Sequence, residues 1–171
     1  YDENRAAVED ALSSYESTGA YSSAVMLERG SHQTLSKILC VKDTEVFCDF
    51  YGLKDMDGND VSLSERGLLV TSEMIEKDGI TQGESITLID ADMNIVDATV
   101  AGEFLQYFEK TIMMSEEYYE RLYQKTPAYN TYYVNCNTED IEGLISEISA
   151  IKGVRSTKLP SDLWESYRML I

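Results

Sequence analysis

The chain has 171 residues, of which 43% are hydrophobic. This length and composition allow a sizeable core and exclude a collagen-like or disordered chain. The 31 Asp and Glu residues against 14 Lys and Arg residues give a formal net charge of −17. Because that charge repels phosphate backbones and anionic lipid surfaces, we expect no nucleic-acid partner, and the main effect of the acidity should be solubility.

The sequence contains no apolar run that approaches the roughly 20 residues needed to cross a bilayer, and its first residue is Tyr1 rather than Met. We therefore expect the sequence to be an excised piece of a longer protein, in which flanking membrane segments could lie outside the present limits.

The N-terminal third is predicted to form a helix and a β-hairpin. Good helix formers favour a helix over residues 2–15, and Gly19 is expected to mark its end. Two strands follow on either side of Gly30-Ser31, a two-residue turn with glycine first that favours a hairpin. Their alternating apolar residues are Tyr21, Val25, Leu27, Leu35, Leu39 and Val41. A short helix over residues 44–51 then precedes a polar loop over residues 54–60.

The middle of the chain alternates short strands with helical turns. The predicted strands are residues 68–70, 85–89, 95–103 and 129–134, and a short apolar run covers residues 111–114. A helical turn covers residues 71–77, and a further helix starts at Ser115, whose hydroxyl can cap it. Gly83 is expected to let the chain turn sharply into the strand at Ile86.

The C-terminal part is predicted to form a helix, a strand and a last helix. Thr138 is the expected N-cap of the first helix, and Gly153 is expected to end it. The buried stripe of that helix is Ile141, Leu144, Ile145 and Ile148. Residues 154–159 would form the strand, Pro160 would end it, and Ser161 would cap the last helix. The apolar residues of that last helix are Leu163, Trp164, Tyr167 and Leu170. Locally paired strands with helices between them predict an α+β fold rather than a doubly wound parallel sheet.

Two acidic loops, residues 55–60 and 90–94, have oxygen-bearing side chains at spacings that suggest calcium. The second loop fails as an EF-hand because Ile95 and Ala101 stand where that motif requires Gly and Glu. Asp, Asn and Gly also form turns between apolar runs. We therefore interpret both loops as turns and predict no metal site and no cofactor.

The sequence shows no pattern that supplies catalysis. It has no G-x-S-x-G motif and no phosphate-binding loop, and His32 lies beside the predicted hairpin turn without a recognisable Ser or Cys partner. Cys40, Cys48 and Cys136 fit neither a disulfide framework nor a zinc motif; one pair could form, but we favour three reduced, mostly buried thiols. We predict that the protein is not an enzyme.

Nine aromatic residues crowd one third of the chain. They can fill a core between a helix and a sheet, which we favour, or anchor a protein interface. They are Phe104, Tyr107, Phe108, Tyr118, Tyr119, Tyr123, Tyr129, Tyr132 and Tyr133. In the predicted strand of residues 129–134, alternation would put Tyr132 and Val134 on the buried face and Tyr133 on the other face.

The ordered motifs of residues 67–136 resemble the extracytoplasmic domain of FtsX-like and MacB-like ABC transporter permeases. In residues 67–88 the shared pattern is a glycine, a hydrophobic strand, a short helix and a glycine-containing turn into a second strand. The helix start at residues 114–122, the strand at residues 130–134 and the Gly-Val step at residues 153–154 extend the match. The matched positions are Gly67, Val70, Gly83, Ile86, Leu88, Ser115, Tyr118, Asn130, Val134 and Gly153. The sequence departs from the family at Ile75, where a small residue is usual, and matches only in outline before Gly67.

The resemblance implies two lobes: an α/β lobe of residues 1–42 and 126–171, and a mainly β lobe of residues 43–125 inserted into it. It implies a non-catalytic domain on the outer face of the cell membrane that couples ATP hydrolysis by a cytoplasmic ABC ATPase to export, lipoprotein or peptide handling, or cell-wall signalling. Transmembrane helices outside this sequence would carry that mechanotransmission.

The same resemblance gives a second permease subunit and an extracellular peptide or protein as candidate partners. It also predicts that the two chain ends lie close together. The alternative is a free-standing secreted binding protein for a peptide or protein ligand, whose ends could lie anywhere.

Overall fold

The computed structural model of the protein describes residues 2–106 and 109–158, with the side chains of all of these except Asp2, Glu3 and Phe50. The predicted last helix, the aromatic residues Tyr107 and Phe108, and the predicted closeness of the two chain ends lie outside the described residues. The elements are α1 (Asp2–Ala11), β1 (Glu16–Arg29), β2 (His32–Val41), α2 (Thr44–Tyr51), β3 (Leu68–Thr71), α3 (Ser72–Asp78), β4 (Ser85–Asp90), β5 (Ile95–Phe104), β6 (Thr111–Ser115), α4 (Glu116–Tyr123), β7 (Thr131–Asn135) and α5 (Ile141–Ala150). The predicted α+β class is confirmed.

Six strands close into a small barrel, and β7 lies outside it. The strand order is β2-β6-β3-β5-β4-β1-β7, and β2 also pairs with β1, which closes the ring. Two pairings in the ring, β2 with β6 and β3 with β5, are parallel, and the other four are antiparallel. Closure gives each of the six barrel strands a paired neighbour on both sides, and β7 pairs with β1 in addition.

The barrel interior is filled by two apolar side chains from each strand. They are Val25, Leu27, Ile38, Cys40, Leu68, Val70, Ile86, Leu88, Ala98, Val100, Ile112 and Met114, which form one buried cluster. Alternate residues along a strand point to opposite faces, so the i, i+2 spacing in every strand accounts for this set. Met74 and Ile80, and Tyr118 and Tyr119 of α4, belong to the same cluster. The barrel is therefore a packed core and not a pore.

A second core covers the outer face of β2, β6 and β3. The strand residues Leu39, Val41, Leu69 and Met113 contribute to it, and Phe47 of α2 and Phe104 are its largest fully buried side chains. Both faces of β2 are buried over Ile38–Val41, and the sequence of these four residues is accordingly a continuous apolar run. The Tyr51 ring stacks on Phe47 with 4.7 Å between the ring centroids, and the Tyr133 ring meets Phe47 edge-on at 5.0 Å. Tyr133 therefore packs against this core, and the prediction that it lies on the face of its strand opposite the buried one is wrong.

The chain divides into two compact units. One is Ser17–Tyr133, which contains the barrel, α2, α3 and α4; the other comprises residues 2–16 and 134–158, with α1 and α5. In the second unit Val8, Leu12 and Leu144 are buried. The lobe boundaries that the resemblance implies, at residues 42/43 and 125/126, remain a prediction.

Several local predictions are confirmed. The hairpin turn is Gly30-Ser31, with Arg29 opposite His32 and Gly30 at a φ of 56°. Ser115 is the N-cap of α4, because its hydroxyl accepts a hydrogen bond from the Tyr118 N–H. The stripe of α5 faces inward, with Leu144 buried and its other members half-buried. All three cysteines are free thiols; Cys40 is buried and the other two are half-buried.

Four further local predictions are wrong. The first helix ends at Ala11, and Gly19 lies inside β1, where β1 continues because Ala20 pairs with Val41 of β2. Leu35 is exposed, because it lies beyond the part of β2 that the second core covers. Thr138 does not cap α5: the Asp140 N–H bonds to the Asn137 carbonyl in a preceding turn, and Asp140 is the N-cap. Residues 154–158 form no strand.

Candidate functional site

The matched motif residues of the barrel lie at structural positions. Val70, Ile86 and Leu88 are buried in the barrel interior. Gly83 has a φ of 86°, which favours glycine, and its N–H bonds to the Val100 carbonyl. Gly153 has a φ of 102°, and Val134 is half-buried in β7. Whether these positions carry the family's function remains a prediction.

The seam between β3 and β5 explains two further motif residues, Gly67 and Tyr118. A Cβ at Gly67 would lie 2.5 Å from the Thr99 carbonyl oxygen, so only glycine fits. The register of β5 shifts beside this point. The Thr99 N–H instead donates to the Tyr118 hydroxyl at 2.8 Å. Tyr118 is 4% exposed, so α4 supplies a buried hydrogen-bond acceptor to the barrel seam.

Asn130 fastens the segment before β7 to β1. Its side-chain oxygen accepts from the Ser22 N–H at 2.9 Å, its side-chain nitrogen donates to the Ser22 carbonyl at 2.8 Å, and its backbone N–H donates to the Ala20 carbonyl. The amide thus pairs with Ser22 as a strand residue would. Ser22 and Asn130 are 108 residues apart in sequence.

The same junction is packed by neighbouring side chains. A Cβ at Gly19 would lie 3.3 Å from Cγ of Tyr129. The ammonium group of Lys42 lies 5.4 Å from the centre of the Tyr129 ring, and the Tyr129 hydroxyl bonds to Glu116. This junction, where both chain connections of the barrel unit are fastened, is the candidate functional site.

An arginine clamp holds the far end of the β1–β2 hairpin. Arg29 forms a two-point contact with the Glu84 carboxylate and donates to the carbonyls of Asp78 and Gly79. Thr81 also donates to Glu84. The Arg29 guanidinium holds the pKa of Glu84 below its ordinary value. Nothing in the local sequence predicts this clamp, since its partners are about 50 residues from Arg29.

The two acidic loops have the same hydrogen-bond pattern. In each, the first Asp accepts from the backbone N–H groups two and four residues later and from the side chain of the final Asn. In the first loop, the hydrogen bond from the Asn59 side chain holds the pKa of Asp55 below its ordinary value. The first carboxylate of each loop is therefore engaged in its turn. Within residues 2–106 and 109–158, no cluster of His, Cys, Asp and Glu has a geometry that could hold a metal.

Two clefts of the barrel unit have acidic residues in their linings. One, of about 380 Å³, is lined by residues that include Leu63, Glu65 and Glu117; another, of about 310 Å³, is lined by Thr44, Cys48 and Asp49 among others. Burial raises the pKa of the Cys48 thiol, which disfavours the thiolate needed of a nucleophile. The sequence-predicted His32 is exposed at the hairpin turn.

Comparisons with known proteins inform the fold of this chain. No protein-family model and no curated protein matches the sequence. None of the helices in the described part of the chain has the length and apolar character needed to cross a bilayer. A solved structure, the extracellular domain of the noncanonic ABC-type transporter YknZ from Gram-positive bacteria, superimposes with a TM-score of 0.58 over 86% of this chain and 79% of that one, at 12% sequence identity. This chain therefore has the fold of a transporter's extracellular domain.

Proposed function

We propose that the protein is the non-catalytic extracytoplasmic domain of an ABC transporter permease of the FtsX-like or MacB-like type. The observation that carries the proposal is the shared fold with the YknZ extracellular domain over 86% of the chain. The ordered motifs between Gly67 and Cys136 support the same family. In this role the domain lies on the outer face of the cell membrane.

The barrel is suited to transmit force rather than to carry out a reaction. Twelve side chains fill its interior and a second core supports its outer face, so it moves as a packed body. Both peptide connections to the rest of the chain, at residues 16–17 and 133–134, belong to the neighbouring strands β1 and β7. Asn130 holds these strands together.

We infer the following coupling. ATP hydrolysis by a cytoplasmic partner moves transmembrane helices that flank this domain, and the movement reaches the barrel through the two adjacent strands. The barrel then acts on export, on peptide or lipoprotein handling, or on cell-wall signalling. A second permease subunit completes the assembly.

The proposal is tested on the full-length gene product in its native cell. Epitope-tagged protein is solubilised from membranes with mild detergent, and the captured material is assayed for ATP hydrolysis and examined by mass spectrometry. We expect an ABC ATPase to be captured together with ATPase activity. Recovery of the tagged protein from the culture medium, with no ATPase partner, would instead support the free-standing secreted binding protein.

A further inference from the structure

A row of apolar side chains crosses the outer face of the barrel. In register across β2, β1, β4 and β5 it consists of Leu35, Met26, Ile89 and Ile95. Val25, Leu27 and Leu88 point into the barrel, so their neighbours in this row point outward. Leu35 and Ile95, at the two ends, are 67% and 66% exposed. We call these four residues the apolar row.

Met93 adds a fifth apolar side chain next to the row. It lies in the Asp90–Asn94 loop, is 73% exposed and has a φ of 64°. Gly58 occupies the corresponding position in the matching Asp55–Asn59 loop, with a φ of 82°. A left-handed backbone conformation is unfavourable for methionine and easy for glycine. The loop geometry therefore does not explain Met93, and strained exposed residues of this kind occur at functional positions.

The rim of the row is acidic. Glu28, Asp92 and Asp97 belong to it: Glu28 and Asp97 lie two residues from row members on the same face, and Asp92 lies beside Met93. The cations of this region are already engaged, since Lys37 contacts Glu109 at 3.4 Å and Lys125 contacts Asp90 at 3.8 Å. The rim therefore attracts positive charge. The net charge of −17 disfavours a second copy of the chain as the occupant.

We propose that the apolar row and Met93 are a docking surface for a segment of another protein that combines apolar side chains with Lys or Arg. The apolar side chains would bury the row, and the basic side chains would meet the acidic rim. The inference does not depend on the transporter context, because every residue in it belongs to the described barrel unit.

The test measures binding of a fluorescein-labelled amphipathic helical peptide of leucine and lysine to the full 171-residue chain, by fluorescence anisotropy. Peptides of serine with lysine and of leucine with glutamate serve as controls. Met93→Asn and Ile95→Thr remove side chains of the surface; asparagine also accepts the left-handed backbone. Leu105→Thr, at an exposed leucine outside the row, is the matched control.

We expect the leucine–lysine peptide to bind the parent chain, and each surface variant to weaken binding about tenfold, because each removes an exposed apolar side chain of the contact surface. Leu105→Thr should leave affinity within about twofold, and thermal melting should show that all variants are folded. Several results would overturn the proposal: no binding of the leucine–lysine peptide, equal binding by the serine–lysine peptide, or surface variants that bind like the parent. A dimer in sedimentation velocity that Ile95→Thr dissociates would also overturn it, in favour of a second copy.

Discussion

At the scale of single residues, glycine is required at position 67 because two backbone segments approach closely there, and not because of its φ. Gly67→Ala would put a Cβ 2.5 Å from the Thr99 carbonyl oxygen. Because backbone cannot move aside as a flexible side chain can, we expect a loss of about 2 kcal/mol in the free energy of unfolding. Gly102→Ala on β5, whose Cβ would lie 3.4 Å from a Leu69 methyl group, should change stability by less than about 1 kcal/mol. Urea unfolding of both variants checks the pair; equal losses would contradict this account.

Two buried tyrosine hydroxyls should differ in their effect on stability. Tyr118→Phe leaves the Thr99 N–H of the barrel seam without an acceptor, and we expect a cost of about 1–2 kcal/mol. The Tyr123 hydroxyl is buried without a partner among the described residues, so Tyr123→Phe should be neutral or stabilising. Chemical unfolding compares the two variants, and a larger loss for Tyr123→Phe would refute the assignment.

At the scale of elements, the two acidic loops act as an internal control for each other. Gly58→Ala forces alanine into a φ of 82°, with an expected cost of about 1 kcal/mol. Met93→Asn places a residue that tolerates a φ of 64° in the matching loop, so we expect a gain of about 0.5–1 kcal/mol. Differential scanning calorimetry should show melting temperatures that shift in opposite directions. A loss of stability in Met93→Asn would show that Met93 is held by contacts rather than strained.

Local signals in the sequence were sufficient for some elements and not for others. Gly30-Ser31 and Ser115 were predictable, because a turn and a helix cap each depend on a few neighbouring residues. Which residues of β2 point into the barrel was not predictable. Ile38, Leu39, Cys40 and Val41 are all buried, so the strand shows no alternation of apolar and polar residues that would identify its inward face. For the same reason the exposure of Leu35 could not be read from the pattern.

The sequence identified residues of the candidate site but not the contacts that they make. The motif singles out Asn130, but its partner Ser22 is 108 residues away. Ring closure likewise depends on β2 and β6, whose pairing joins distant residues such as Lys37 and Thr111. Sequence reasoning from hairpins and helical stripes contains no information on such pairings.

At the scale of the whole molecule, the Arg29–Glu84 clamp makes barrel stability depend on pH. The hydrogen bonds from Arg29 lower the folded-state pKa of Glu84 below its ordinary value of 4.5, so its contribution to stability is complete above that pH and is lost as pH falls through the folded-state pKa. Glu84→Gln should therefore reduce stability at neutral pH, and the difference from the parent should shrink in acid. Unfolding curves across this range provide the measurement. A difference that persists unchanged at low pH would contradict the charge-based explanation.

The β1–β7 junction should matter for coupling more than for ATP hydrolysis. Asn130→Ala removes both side-chain bonds to Ser22 and loosens the two strands that connect the barrel to the chain. Under the proposed function, ATP hydrolysis by the partner ATPase should persist in the full-length protein while the transport or signalling output falls. Ser23→Ala, whose hydroxyl donates to the Ala24 carbonyl of its own strand, is the matched control. An output that is unaffected by Asn130→Ala would argue against transmission through this junction.

The central claim is that this barrel stands outside the cell on a membrane-embedded permease, and labelling of intact cells tests it most directly. Ser31→Cys places a thiol at the exposed hairpin turn, whereas Cys40 is buried and Cys48 and Cys136 are half-buried in the parent. Full-length protein carrying Ser31→Cys should be labelled by a membrane-impermeant maleimide on intact cells, well above the parent, and should remain in the membrane fraction. Labelling of Ser31→Cys only after cell lysis would contradict the account.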